Sequence, residues 1–349
     1  MLKKGVLLIT ILLVWVMTAE AQDPQLSQFY AAPLYLNPAF AGSAMAPRVN
    51  FTHRNQWPSL SANFVTSSLS ADMHLSKLNS GVGILFTSDR QFSNFTTMDI
   101  GAVYSYHLKL SDNLSAQMGV QGTYETRGLN YSEYTFGDQI KQYLQGLGYG
   151  STTDPIGTGS PQLRYWDFST GGIIYSEQFW VGVSVHHLNR PNQSFSNQDA
   201  RLPMKFGLQA GFRIPIADYE LGNNLGGNID REKSITPVIH YKHQGTADQL
   251  DVGAYLTYSP LVFGAWYRGL PIKNYSNGSG TIINHDAAVL LLGYRQDNFS
   301  IGYSYDATIS ALSGTGGAHE LTLSYTFTDW IDNSPRNRKR KGELKCPKF

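Results

Sequence analysis

The sequence predicts an all-β protein, a transmembrane antiparallel β-barrel of about fourteen strands. Three observations carry that prediction. Charged residues make up only 15% of the 349 positions while aromatics reach 13%, with 21 Tyr and 34 Gly. Mean hydropathy is still only −0.25, a balance that fits a lipid-facing sheet rather than a disordered chain or apolar helical spans. Past Arg48, apolar and polar residues alternate with period two along nearly the whole chain, the signature of strands with two unlike faces. Finally, short and long connections alternate, as they do at the periplasmic and extracellular ends of outer-membrane barrels. The formal net charge of +1 gives no reason to expect a nucleic-acid partner.

Residues 1–21 read as a secretory signal peptide. Lys3 and Lys4 precede an apolar run, Val6 to Met17, that ends in Ala19-Glu20-Ala21, a small-x-small cleavage site. The run is too short for a spanning helix. No cysteine stands at the cleavage site, and the single cysteine, Cys346, has no internal disulfide partner. Residues 22–47 come next, a segment that either plugs the barrel mouth or packs on the periplasmic rim. Its Pro33, Pro38 and Pro47 favour an irregular course over a strand.

Residues 48–331 carry the barrel. Strands are expected near 48–55, 62–74, 81–88, 95–110, 113–127, 162–175, 178–190, 203–216, 234–244, 248–259, 261–269, 282–296, 298–309 and 317–330. In the fifth, Leu114, Ala116, Met118 and Val120 alternate with Ser115, Gln117, Gly119 and Gln121. Tight turns follow at Ser111-Asp112, Glu177-Gln178, Pro260 and Asp297-Asn298, and long loops at Gly128 to Pro161, Pro191 to Leu202 and Leu270 to Thr281. An even strand count leaves both termini periplasmic. The one misfit is the long connection Ala217 to Lys233. Residues 332–349 form a basic periplasmic tail of net charge +5, which with the +1 of the signal segment leaves −5 on residues 22–331. Such runs are solvated and serve as interaction tails.

Catalytic patterns are weak. The chain has no G-x-S-x-G elbow and no H-E-x-x-H or C-x-x-C pair. His186 and His187, adjacent on an expected strand, should point to opposite faces, and His240 and His243 fail to share a face for the same reason. No cofactor, metal site or enzymatic activity is expected. The arginines say more: with the apolar face outward, Arg54, Arg127, Arg190 and Arg268 fall inside, at the extracellular ends of odd-numbered strands. Closing the first strand on the last brings Arg54 to Glu320, with Asp306 on the neighbouring strand. These six residues are expected to form a charged lumen network, either structural or a site for an acidic ligand or partner segment.

The segment Gln22-Asp23-Pro24-Gln25-Leu26-Ser27-Gln28-Phe29, continuing to Leu36-Asn37-Pro38-Ala39-Phe40-Ala41-Gly42-Ser43, closely resembles the opening of the PorP/SprF family of type IX secretion system membrane proteins of the Bacteroidota. Further matches are His53-Arg54-Asn55-Gln56-Trp57, Tyr104-Ser105-Tyr106-His107, Gly264-Ala265-Trp266-Tyr267-Arg268, Tyr305-Asp306-Ala307-Thr308-Ile309-Ser310, His319-Glu320-Leu321 and the terminal Cys346-Pro347-Lys348-Phe349. The chain departs from the pattern in the length of Gly128 to Pro161 and at Ala62-Asn63-Phe64-Val65-Thr66, which bears on its subgroup. The resemblance implies a non-enzymatic outer-membrane barrel that supports export or surface attachment of secreted proteins such as gliding adhesins, in contact with a periplasmic ring. It also marks His53, Gln56, Trp57, His319, Cys346, Pro347, Lys348 and Phe349 as partner-binding candidates. The competing class is a passive channel or hydrophobic-solute transporter.

Overall fold

The computed structural model describes residues 23–328 apart from 93–94, 130–133, 154–161, 196–198, 217–231, 278–279, 297 and 311. The expected signal peptide, most of the connection from Ala217 to Lys233, and the tail with Cys346, Pro347, Lys348 and Phe349 lie outside the described residues. Fourteen strands follow in order: β1 (Arg48–Gln56), β2 (Phe64–Leu75), β3 (Ser80–Gln91), β4 (Phe95–Ser111), β5 (Leu114–Leu129), β6 (Gln162–Tyr175), β7 (Phe179–His186), β8 (Lys205–Phe212, resumed over Ile214–Pro215), β9 (Lys233–Gln244), β10 (Ala247–Tyr258), β11 (Leu261–Asn277), β12 (Gly280–Gln296), β13 (Phe299–Thr308) and β14 (Ala318–Thr326). Each pairs antiparallel with its sequence neighbours, and β14 pairs with β1 to close the barrel, setting Arg54 opposite Glu320.

Burial follows the alternation, with the sense of a soluble protein reversed. On β5, Gln117, Gln121, Thr123, Glu125 and Arg127 are buried in the lumen, while Met118 and Val120 stand 66% and 56% exposed on the outer wall. Lipid is the solvent that such a wall suits. No described helix is long and apolar enough to cross a membrane.

The wall is uneven. Strands β4, β11 and β12 each have 17 residues, whereas β7 and the main part of β8 have 8. At roughly 3.3 Å per residue these are lengths of about 56 and 26 Å. The extra length of β11 and β12 stands at the rim that carries the long loops, the loop rim, whereas β4 outruns β3 by His107–Ser111 at the opposite, turn rim, which short connections such as Ser76–Asn79 mark. The loop expected over Leu270 to Thr281 is therefore mostly strand, a β11–β12 hairpin whose register shifts at Arg268/Gly269 and Leu270/Asn274. Period two is hidden there by the bulges. The connection Gly128 to Pro161 holds a helix, α2 (Gly137–Leu144). Its amino end is organised by Asp138, which accepts from the Thr153 amide at 2.6 Å and the Thr152 hydroxyl at 2.9 Å.

β7 also ends earlier than its expected limit of 190. His187 and Arg190 both adopt left-handed φ, 60° and 46°, which stops the ladder. Alternation fails at that point, so His187 turns inward beside His186 instead of opposing it, and both are buried.

Residues 23–47 cross the lumen from the loop rim, near Gln244 and Lys205, to Pro47 at the turn rim, whose carbonyl accepts from the Phe327 amide at 2.8 Å. One short helix, α1 (Pro33–Leu36), and two 3-10 turns, Phe29–Ala31 and Pro38–Phe40, fold the segment compactly. Phe29, Tyr30 and Phe40 pack with the inward Tyr175, Trp180, Tyr255, Trp266 and Val289 into a core inside the barrel. Tyr30 meets Trp180 edge-on at 5.5 Å, a favoured aromatic geometry. Across the lumen the segment lies against glycines. A Cβ on Gly81 would stand 2.0 Å from the Ala41 carbonyl oxygen, on Gly119 2.4 Å from the Ala39 nitrogen, and on Gly171 2.0 Å from the Asn37 side-chain oxygen.

Candidate functional site

The densest chemistry in the barrel surrounds Ser27 and Gln28. The chain bends at Ser27 and Gln28, the latter with φ −91° and ψ 54°, against the seam of β13, β14 and β1, so that two successive backbone amides face one carboxylate. The Ser27 and Gln28 amides donate to the two oxygens of Glu320 at 2.7 and 2.8 Å. The Ser27 hydroxyl donates to Asp306 at 2.5 Å and accepts from Arg54 at 2.7 Å and Arg268 at 2.8 Å. Gln28 adds bonds from its side-chain nitrogen to the Glu320 carbonyl at 3.0 Å and the Ser304 hydroxyl at 3.2 Å, and accepts from Thr322 at 2.7 Å.

Around this pair the ions form one chain. Arg54 joins Asp306 at 2.9 Å and Glu320 at 3.2 Å, while Arg268 joins Asp306 at 2.7 Å and Asp251 at 2.8 Å. These side chains are at most 4% exposed. Ions so deeply buried need pairing and hydrogen bonds to persist; here ion pairs, two backbone amides and a hydroxyl supply them, and among the described residues only the Oδ1 of Asp306 in this chain of ions lacks a hydrogen-bond partner.

Of the six residues expected in the lumen network, the structure thus brings together Arg54, Arg268, Asp306 and Glu320. Arg127 is also buried inside, but on another wall, over the Phe95 ring at 4.6 Å. Arg190 is not in the lumen: it is exposed in the loop after β7, because the left-handed turn at His187 ends the strand whose parity would have carried it inward. Gln56 accepts from Arg54 at 3.2 Å, and Trp57, with left-handed φ of 57°, packs edge-on against Phe64. His53 and His319 face outward, bonded to Ser67 at 2.9 Å and Tyr303 at 2.7 Å. Sequence reasoning missed Ser27, Gln28 and Asp251. The register partner of Arg268 is Asp251, so pairing the expected strands residue by residue would have found the last of these.

A second fastening holds the amino end of the segment. The Asp23 carboxylate accepts from Lys205 at 2.5 Å, His187 at 2.8 Å and Gln244 at 3.1 Å, and the other ring nitrogen of His187 meets Asp167 at 3.0 Å. Burial by itself would raise the Asp23 carboxyl, but the His187 and Lys205 cations outweigh it and hold the group well below the usual carboxylate range. For His187 burial pulls the other way too, yet Asp23 and Asp167 raise it to about 9.

Between the two fastenings lies a cavity of about 920 Å³ toward the loop rim, lined by Trp57, Phe64, Phe92, His240, Lys242 and Asp286 among others. Among the described residues no group of three His, Cys, Asp or Glu is arranged to hold a metal ion.

Among solved structures, the chain is similar to Omp33 of Acinetobacter baumannii at 10% identity and a TM-score of 0.41, over 82% of this chain and 100% of that one. It is similar to the toluene transporter TbuX of Ralstonia pickettii at 9% and 0.44, over 85% and 94%, and to the toluene transporter TodX of P. putida at 11% and 0.42, over 83% and 92%. Likeness at this level says nothing of what this chain conducts or binds. No curated protein matches. A family model described as type IX secretion system membrane protein PorP/SprF matches residues 18–325.

Proposed function

The chain belongs to the PorP/SprF family of type IX secretion system membrane proteins, and from that premise we propose that it is a non-enzymatic outer-membrane scaffold that supports export or surface attachment of secreted proteins such as gliding adhesins. The single observation that carries this reading is the filled lumen. Residues 23–47 occupy it from rim to rim and are locked by buried ion pairs, which suits a body that works through its rims better than one that works as a conduit. On this reading residues 1–21 are cleaved on export and both termini face the periplasm. The basic tail with Cys346, Pro347, Lys348 and Phe349 then docks an acidic surface of a periplasmic ring component, an electrostatic and salt-sensitive contact.

The 920 Å³ cavity with Trp57, Phe64 and Phe92 favours a second reading, a passive channel or hydrophobic-solute transporter. One pair of measurements separates the two. Deleting the protein, or residues 333–349 alone, should abolish display of the associated surface protein while the purified barrel stays silent in planar bilayers. Steady conductance of the intact barrel, with display unchanged in the deletion, would favour the channel.

A further inference from the structure

Between β6 and β7 the barrel wall is not fully closed. β6 pairs with β5 along its whole length, from Gln162 to Tyr175, but with β7 only from Thr170 onward. The reason lies in the chain after His186. Instead of continuing beside β6, it folds inward over the lumen, where Gln193 donates to the Tyr165 hydroxyl at 2.8 Å, Phe195 meets Phe95 edge-on at 6.1 Å, and Leu202 is buried.

The first residues of the bare edge are capped by a peptide mimic. Leu188 donates its amide to the Phe168 carbonyl at 2.9 Å. The Asn189 carboxamide then accepts from the Phe168 amide at 3.3 Å and donates to the Trp166 carbonyl at 2.6 Å, as a backbone peptide group would. Even-numbered residues of β6 therefore turn their amides and carbonyls toward this edge, and odd-numbered ones bond to β5. Above the cap, the Trp166 amide and both backbone groups of Arg164 and Gln162 meet no partner among the described residues.

Open sheet edges are not tolerated in hydrocarbon, and this one stands beyond the end of β7, clear of the low wall. Its outward side chains are Arg164, Trp166 and Phe168, all exposed. An exposed edge of this kind templates the addition of a strand.

We propose that the free edge of β6 over Gln162–Trp166 is a docking site for an extended strand of the secreted surface protein, which joins the barrel wall by β-augmentation. The identity of the partner rests on the function proposed above; the site rests on the backbone. Recognition is through main-chain hydrogen bonds, with an acidic side chain of the incoming strand beside Arg164 and an apolar one against Trp166.

Proline provides a selective test, because at an even position it removes a donor from the edge and none from the β5 ladder. Amide exchange of the purified barrel should show fast exchange at Arg164 and Trp166 and protection at Phe168. Adding an eight-residue Val/Thr peptide with one Glu at millimolar concentration should slow both edge amides at least tenfold. In cells, Arg164→Pro should reduce display of the surface protein at least tenfold with normal barrel folding on gels. Should that variant fold poorly, the wild-type exchange measurement decides the matter. Edge amides already protected in the isolated barrel, peptide without effect on them, or full display from a folded Arg164→Pro barrel would each overturn the proposal. Normal display after deletion of the whole protein would overturn the secretion function instead.

Discussion

The segment inside the barrel is held in two unlike ways. At Ser27–Gln28 it is held by charge: two arginines, three carboxylates, a hydroxyl and two amides, all buried. At Pro38–Gly42 it is held by shape, its backbone lying where Cβ atoms of Gly81 and Gly119 would be. The charged hold depends on every member being present, since each missing partner strands a buried ion. The shaped hold depends on something being missing, and only an addition can break it. A sequence therefore protects the first by keeping charged residues and the second by keeping glycines.

The largest effect should come from the charged hold. Arg268→Ala strips Asp251 of its arginine and leaves Asp306 with Arg54 alone, and should cost about 3–5 kcal/mol, read as a lower urea midpoint of the folded barrel; a loss under roughly 1 kcal/mol would mean that water replaces the arginine. Next comes the shaped hold. Gly81→Val brings a Cβ to 2.0 Å from the Ala41 carbonyl oxygen and should cost about 1–3 kcal/mol by overpacking. Its sharper signature is cleavage of residues 23–47 by added protease, to which the wild-type barrel should be resistant.

The clasp at Asp23 is weaker and titrates. His187, ordinarily near 6.5 and here raised to about 9, contributes stability that is fully present below pH 6.5 and lost as pH rises through about 9. The Asp23 contribution is present above the usual carboxylate range and lost only as pH falls through its depressed value. Protease sensitivity of the amino end should thus rise between pH 7 and 10 in wild type, and His187→Gln should flatten that profile. The smallest effect belongs to the outer wall, where His319→Phe should change stability by no more than about 0.5 kcal/mol, measured by the same urea titration.

Strands and closure were legible because lipid outside and polar groups inside impose the same period on every strand. Parity, together with closure of the first strand on the last, brought Arg54 to Glu320. It failed wherever the period was interrupted locally: the left-handed residues His187 and Arg190 sent one ring inward and one guanidinium outward, and the bulges near Gly269 hid half a hairpin. Ser27 and Gln28 stayed hidden for another reason. They lie on an irregular segment with no period at all, and their role follows from one carboxylate, Glu320, which is 293 and 292 residues away from them. The glycines at 81, 119 and 171 share inward parity, a signal that was present but reads as ordinary strand glycine until something is known to press against them.

The contact between Ser27 and Glu320 also sets an order of events in time. Nearly three hundred residues lie between these two, so a segment made ahead of every strand must wait for the last of them before its amides find their acceptor. The seam between β1 and β14 forms around that segment, which makes barrel closure and occupation of the lumen a single late step. Contacts of such long sequence separation fold slowly. Until β14 closes on β1, Arg54 is left as an unmatched cation on a growing sheet, while Arg268 already has Asp251 beside it, and it is the meeting of Arg54 with Glu320 and Asp306 that turns an open curl into a sealed cylinder.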